Sequence, residues 1–171
     1  FGVADADLQV IGEDATLKEE QSEKTMWYDF AQHSGKVHGN ETPGRGADRY
    51  HLRREDIKLM KQMGVKHYRT SVSMARVLQK NGDVNTKTIQ WYTDYFKALR
   101  AAGISIYATL YHWEIPLYLH EQSGWKNPKT IDVFVKHAEV VARELGEYID
   151  EYFILNEPWC SSILSYYLGI H

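Results

Sequence analysis

One cysteine, Cys160, stands in a chain of 171 residues. It excludes an internal disulfide and suits a reducing compartment. The eight histidines include no His-Glu-x-x-His pattern and no paired spacing suited to zinc, so no metal is expected. "GRGADR" lacks the third glycine and the preceding strand of a dinucleotide fingerprint, and no cofactor is expected either. No apolar window approaches the roughly 18 residues that cross a bilayer, and the N-terminus carries no signal-peptide pattern. These absences predict a cytoplasmic protein with no membrane partner. A net charge of −3 gives no electrostatic reason to expect nucleic acid. The cations Arg49, Arg53, Arg54, Lys58 and Lys61 are interleaved with Glu55 and Asp56, the pattern of a solvated helix face. Internal repeats and low-complexity segments are absent, and the sequon Asn40-Glu41-Thr42 has no meaning without secretion.

What is present is ordinary in bulk and particular in order. With 43% apolar and 25% charged residues, the chain reads as globular and long enough for one domain. Aromatic residues make up 13%, a supply for a core or for a sugar-binding cleft. A short apolar opening predicts a strand, and residues 13–47 predict a long loop holding the amphipathic piece "TMWYDFAQ". Asp48 is placed to cap a helix running to about Met63. "VKHYRTSV" (65–72) predicts a second strand. Asn85 is placed to cap a helix with Ile89, Tyr92, Phe96 and Leu99 at helical spacing. "ISIYATLYH" (104–112) predicts a strand buried on both faces. Ile131, Phe134, Ala138, Val141 and Leu145 predict a third long helix, "EYFIL" (151–155) a fourth strand, and "WCSSILSYYLG" a further helix. Such alternation predicts right-handed βαβ units, an α/β fold with a parallel sheet, and half of an eight-fold barrel.

Barrels of this kind carry their chemistry at the carboxyl ends of the strands. Gln9 follows the first strand, Arg69 lies within the second, His112 and Trp113 end the third, and Asn156 and Glu157 end the fourth. Amide, imidazole and indole N–H groups hydrogen-bond sugar hydroxyls, and an indole face stacks on a pyranose ring. A glutamate whose proton is held by burial or by a second carboxylate can protonate a glycosidic oxygen. Each type has a bland alternative: a capping glutamate, a satisfied core histidine, an arginine paired with a structural carboxylate.

Laid end to end, these segments resemble the N-terminal half of glycoside hydrolase family 1, the β-glucosidase and β-galactosidase family. "GVADADLQVIG" resembles the family's opening strand, and Gln9 stands where a glycone-binding glutamine is implied. "DRYHLRREDIKLMKQMGVKHYRTSVSMAR" resembles its first helix and second strand, with Arg69 as the arginine supporting the nucleophile. "TLYHWEIP" implies sugar contacts for His112 and Trp113. "LNEPW" implies that Asn156 binds the sugar's 2-hydroxyl and that Glu157 is the acid/base. The implied fold is a (β/α)8 TIM barrel, of which residues 1–171 supply about four β/α units as one half of a single catalytic domain. The implied activity is hydrolysis of β-linked glucosides or galactosides with retention.

The chain departs from the family pattern at Asp5, Asp7, Ile11, Thr70, Met74 and Ala75, positions expected near the pocket floor and wall. It also contains no Thr-Glu-Asn-Gly-like nucleophile motif. Retention needs two carboxylates about 5 to 5.5 Å apart. The resemblance therefore implies a complementary C-terminal half-barrel polypeptide, or a continuation, that carries the nucleophile. Glu114 as a substitute second carboxylate is set aside for a structural role. The alternative is a carbohydrate-binding or scaffold protein derived from the family and without its chemistry.

Overall fold

Four parallel strands lie side by side in chain order in the computed structural model, which describes residues 1–170. They are β1 (Gly2–Ala4), β2 (His67–Ser71), β3 (Ser105–Tyr111) and β4 (Glu151–Leu155). Gly2 pairs with His67, His67 with Ser105, and Tyr107 with Glu151, so the register climbs steadily across the sheet. Three long helices make the crossovers: α1 (Arg49–Gln62), α2 (Thr86–Ala101) and α3 (Pro128–Leu145). The parallel order and the helices on one face are those of about half a (β/α)8 barrel.

Side chains alternate across a strand. In β2 and β3, Tyr68, Thr70, Ile106, Ala108 and Leu110 are buried in a core shared with Ile57, Met60, Phe96, Leu99, Val141 and Leu145 from the helices. The opposite face carries His67, Arg69, Tyr107, Thr109 and Phe153. Two of these, His67 and Tyr107, stack with ring centroids 5.7 Å apart.

Helix starts follow their caps. The Asn85 side chain accepts from the Thr88 N–H, and Asn127 accepts from Lys129 with Pro128 just inside α3. Asp48 does stand at the start of α1, but in left-handed conformation, and its carboxylate meets the His51 ring rather than a helix N–H. The stretch expected as a long loop is more ordered than its composition suggests. It forms helical turns at Glu13–Ala15, Thr16–Glu20 and Met26–Gln32. Glu13 clamps them by accepting from the Thr25 N–H at 2.7 Å and the Thr25 hydroxyl at 2.8 Å. The opening strand is shorter than expected and gives way to a helical turn, Asp7–Val10.

The departures from the family pattern lie behind the sheet or in the core rather than on the cleft wall. Asp5 accepts from the hydroxyls of Tyr68 (2.9 Å) and Thr70 (2.8 Å) and pairs with Arg49. Asp7 accepts from the buried Arg76 at 3.0 Å, while Glu20 takes the other edge of that guanidinium at 2.7 and 3.0 Å. Ile11 and Met74 are buried among apolar side chains.

The two-face burial expected of the third strand largely holds in β3, where only Ser105 and Tyr107 are partly exposed, whereas β4 is open to solvent. All five residues are exposed, Phe153 by 45% and Ile154 by 55%. Among the described residues no strand pairs with the far side of β4 and no long helix follows to cover it.

Candidate active site

The carboxyl ends of β2, β3 and β4 bring five of the six candidate residues together, and Gln9 shares a cleft with two of them, His112 and Trp113. Arg69 projects from the middle of β2 over the end of β3. Its Nε donates to the Thr109 hydroxyl at 3.0 Å, and its Nη2 donates to Asn156 Oδ1 at 2.6 Å. The Phe153 ring supports the guanidinium from β4, 4.9 Å from its centroid. Arg69 thus pairs with no carboxylate here. The reading of Arg69 as one half of a structural ion pair finds no partner among the described residues.

Asn156 follows β4 directly and is buried. Its N–H donates to the Tyr111 carbonyl, extending the strand pairing by one residue, and its own carbonyl accepts from Trp113 Nε1 at 3.1 Å. Trp113 is held in turn, because Trp27 Nε1 donates to its carbonyl at 2.8 Å. Trp113 and Glu157 both have positive φ, 69° and 41°, which bulky side chains rarely adopt. Strain of this kind persists where surrounding contacts enforce it. Here the two indole hydrogen bonds hold Trp113. Pro158 opens the helical segment behind Glu157 and disfavours a right-handed helical conformation for the residue before it.

Glu157 is exposed. Cys160 donates its N–H to the Glu157 carbonyl at 2.9 Å and its thiol to Oε2 at 3.2 Å. That bond to the carboxylate raises the thiol's proton affinity, with burial a smaller cause. The His112 imidazole is held below its ordinary range by burial first and by the Arg69 charge second. It is therefore neutral at pH 7, and its buried Nδ1 has no hydrogen-bond partner among the described residues.

A cleft of about 380 Å³ opens beside these groups. Gln9, His112 and Trp113 line one side, and Leu8, Trp27, Phe30, Val37 and Pro43 supply an apolar wall. Arg69, Asn156 and Glu157 are not part of its lining. The last two stand just past β4 at the open edge of the sheet. Gln9 is exposed on the turn Asp7–Val10 rather than on the strand, and it meets the cleft from the β1 side.

Trp27, Phe30 and Thr109 were not singled out in the sequence as part of this site. The amphipathic "TMWYDFAQ" was a visible signal for the first two, and Trp27 packs edge-on to Phe30 at 5.4 Å. Thr109 gave none, since its role depends on how β2 and β3 are registered.

Comparison with known proteins decides the kinship. The sequence profile of glycosyl hydrolase family 1 matches residues 1–171. The chain belongs to that family. A β-glucosidase from Agrobacterium is 36% identical over 172 residues, which is all of this chain and 37% of the relative's length. β-Glucosidase A from Acetivibrio thermocellus is also 36% identical, over 38% of its length. The solved β-glucosidase from Thermotoga maritima in complex with glucoimidazole superposes with a TM-score of 0.94 at 32% identity, covering 99% of this chain and 38% of that one. The chain thus spans under two fifths of these family 1 relatives, their N-terminal part.

Proposed function

We propose that the chain is the acid/base-bearing half of a retaining β-glycosidase acting on β-linked glucosides or galactosides. In this reading residues 1–171 form the N-terminal half of one catalytic domain, and the nucleophile comes from a complementary C-terminal half-barrel or a continuation of the chain. The observation that carries it is the string of hydrogen bonds from Arg69 and Trp113 into Asn156, next to Glu157 at the end of β4. That string fixes an amide beside a carboxylate, as a sugar's 2-hydroxyl and its glycosidic oxygen would need.

Glu157 donates its proton to the leaving oxygen while a second carboxylate attacks the anomeric carbon. It then removes a proton from the water that releases the glycosyl-enzyme. His112, neutral and with Nδ1 unengaged, Gln9 and Trp113 hold the glycone, and the apolar wall excludes water around it. Arg69, with no carboxylate of its own here, is left to support the incoming nucleophile, and Thr109 holds its guanidinium in place. The scheme needs no metal or cofactor.

The test is Glu157→Gln in the completed protein. Turnover on an alkyl glycoside falls by about 10²–10⁴-fold, the usual worth of acid–base catalysis, with sugar binding retained. An aryl glycoside with a very good leaving group needs little protonation and is affected least. Equal losses on good and poor leaving groups would refute the assignment.

A further inference from the structure

Behind Trp113 lies a buried group that the proposed chemistry does not use. Glu114 is 4% exposed, and its Oε1 has no hydrogen-bond partner among the described residues. The Ser73 hydroxyl reaches the carboxyl and the Arg76 charge lies near it. Arg76, however, is already engaged on both edges by Asp7 and Glu20. Glu114 lines a small pocket with Asp7, Glu13, Glu23, Ser73 and Arg76. Glu13 is spoken for by Thr25, and the phenols of Tyr92 and Tyr111 also lie within electrostatic reach of Glu114. Four carboxyls, those of Asp7, Glu13, Glu20 and Glu114, are buried in this region, and its one buried guanidinium, that of Arg76, bonds to two of them. Four buried anions on one cation is not a stable arrangement, since each unpaired charge carries a desolvation penalty far above that of a neutral acid.

We infer that Glu114 is a positioning residue for the sugar-facing surface: buried as the neutral acid it locks residues 113–117 in place, and its ionisation releases them. The bonds that a moving Glu114 would strain are those its neighbours make. Met26 N–H donates to the Ile115 carbonyl, Leu117 N–H to the Lys24 carbonyl, and Trp27 and Trp113 make the indole bonds described above. An anion at Glu114 must reach water, and the strand end that holds Trp113 has to move to let it. Burial, reinforced by the negative charges of Asp7 and Glu13, pushes the carboxyl up to about 8, and burial holds Glu13 at about 7. Only the consequence for sugar binding rests on the proposed function.

Carbon-13 NMR of glutamate carboxyls, followed through a pH titration of the chain alongside amide exchange, tests the inference. Two glutamate signals titrate near neutrality or above; Glu13→Gln removes the lower one and Glu114→Gln the upper. Protection of the Met26 and Leu117 amides, which bond to and from this segment, falls about tenfold per pH unit above about pH 8, the dependence of a single released proton, and Glu114→Gln abolishes that fall. If every glutamate of the unsubstituted chain titrates below about pH 6, or if exchange at Met26 and Leu117 is indifferent to the upper titration, the inference is wrong. Both readings need only the unsubstituted chain, so a variant that fails to fold leaves the test intact. Titration in the chain with no sugar binding by the completed protein would sink the proposed function and leave this inference standing; sugar binding by the completed protein without the titration would do the opposite.

Discussion

At the scale of single residues, buried titratable groups set how this chain answers to pH. His137 on α3 is wholly buried, and neither ring nitrogen makes a well-formed hydrogen bond among the described residues. Burial drives its pKa down from 6.5 to about 4, against a weak opposing pull from the backbone at Leu110 and Val72. The unfolded chain therefore takes up the proton first. The stability that neutral His137 supports is full above about pH 6.5 and is lost as pH falls towards about 4, roughly 3 kcal/mol across that window. Urea unfolding at pH 7 and pH 4.5, compared with His137→Phe, checks this: the variant loses less on acidification.

Between elements, the buried arginine of the short helix after β2 ties four segments together. Arg76 bonds to Asp7 beyond β1 and to Glu20, and Glu20 accepts from the Thr88 hydroxyl of α2 at 2.7 Å. The Tyr92 ring lies beneath the guanidinium at 4.5 Å. Arg76→Ala strands two carboxylates in the interior and should cost about 3–5 kcal/mol, measured by chemical denaturation. Asn85→Ala, which removes the cap of α2 and the amide's bond to the Glu20 carbonyl, should cost about 1–2 kcal/mol and leave the rest of the fold intact.

Elements were also where the sequence was most legible. The three long helices and β2 to β4 fall within a few residues of their apolar periodicity, because repeated burial writes itself into spacing. Asp5, Asp7 and Ile11 were not legible in this way. Their partners Arg49 and Arg76 are 44 and 69 residues away and meet them only once the sheet is in register. For the candidate site, type and strand-end position named Arg69, His112, Trp113, Asn156 and Glu157. The grip of Thr109 and Trp27 on their neighbours required the fold. Gln9 was legible as a residue but not in its setting, since the strand stops five positions before it.

The whole molecule is asymmetric in its covering. On one side of the sheet the helices bury a continuous core; at β4 the sheet ends in exposed Tyr152, Phe153, Ile154 and Leu155. An edge strand with Glu151 as its one charge and four exposed residues after it, three of them aliphatic or phenyl, is a template for pairing with another chain. The chain alone should therefore self-associate. Ile154→Lys together with Tyr152→Lys should shift it towards monomer in sedimentation, and the same pair should block its joining to a complementary half. Unchanged sedimentation would mean that β4 is not the surface that associates.

The account turns on a second carboxylate that meets Glu157 from beyond these residues. Intact-mass analysis of the completed protein, after exposure to a fluorinated β-glycoside inactivator, tests that directly. The account predicts a mass increase of one fluorosugar, held covalently by a carboxylate outside residues 1–171, with Glu157 unmodified. Sugar binding without any covalent label, or a label on Glu157 itself, would contradict it.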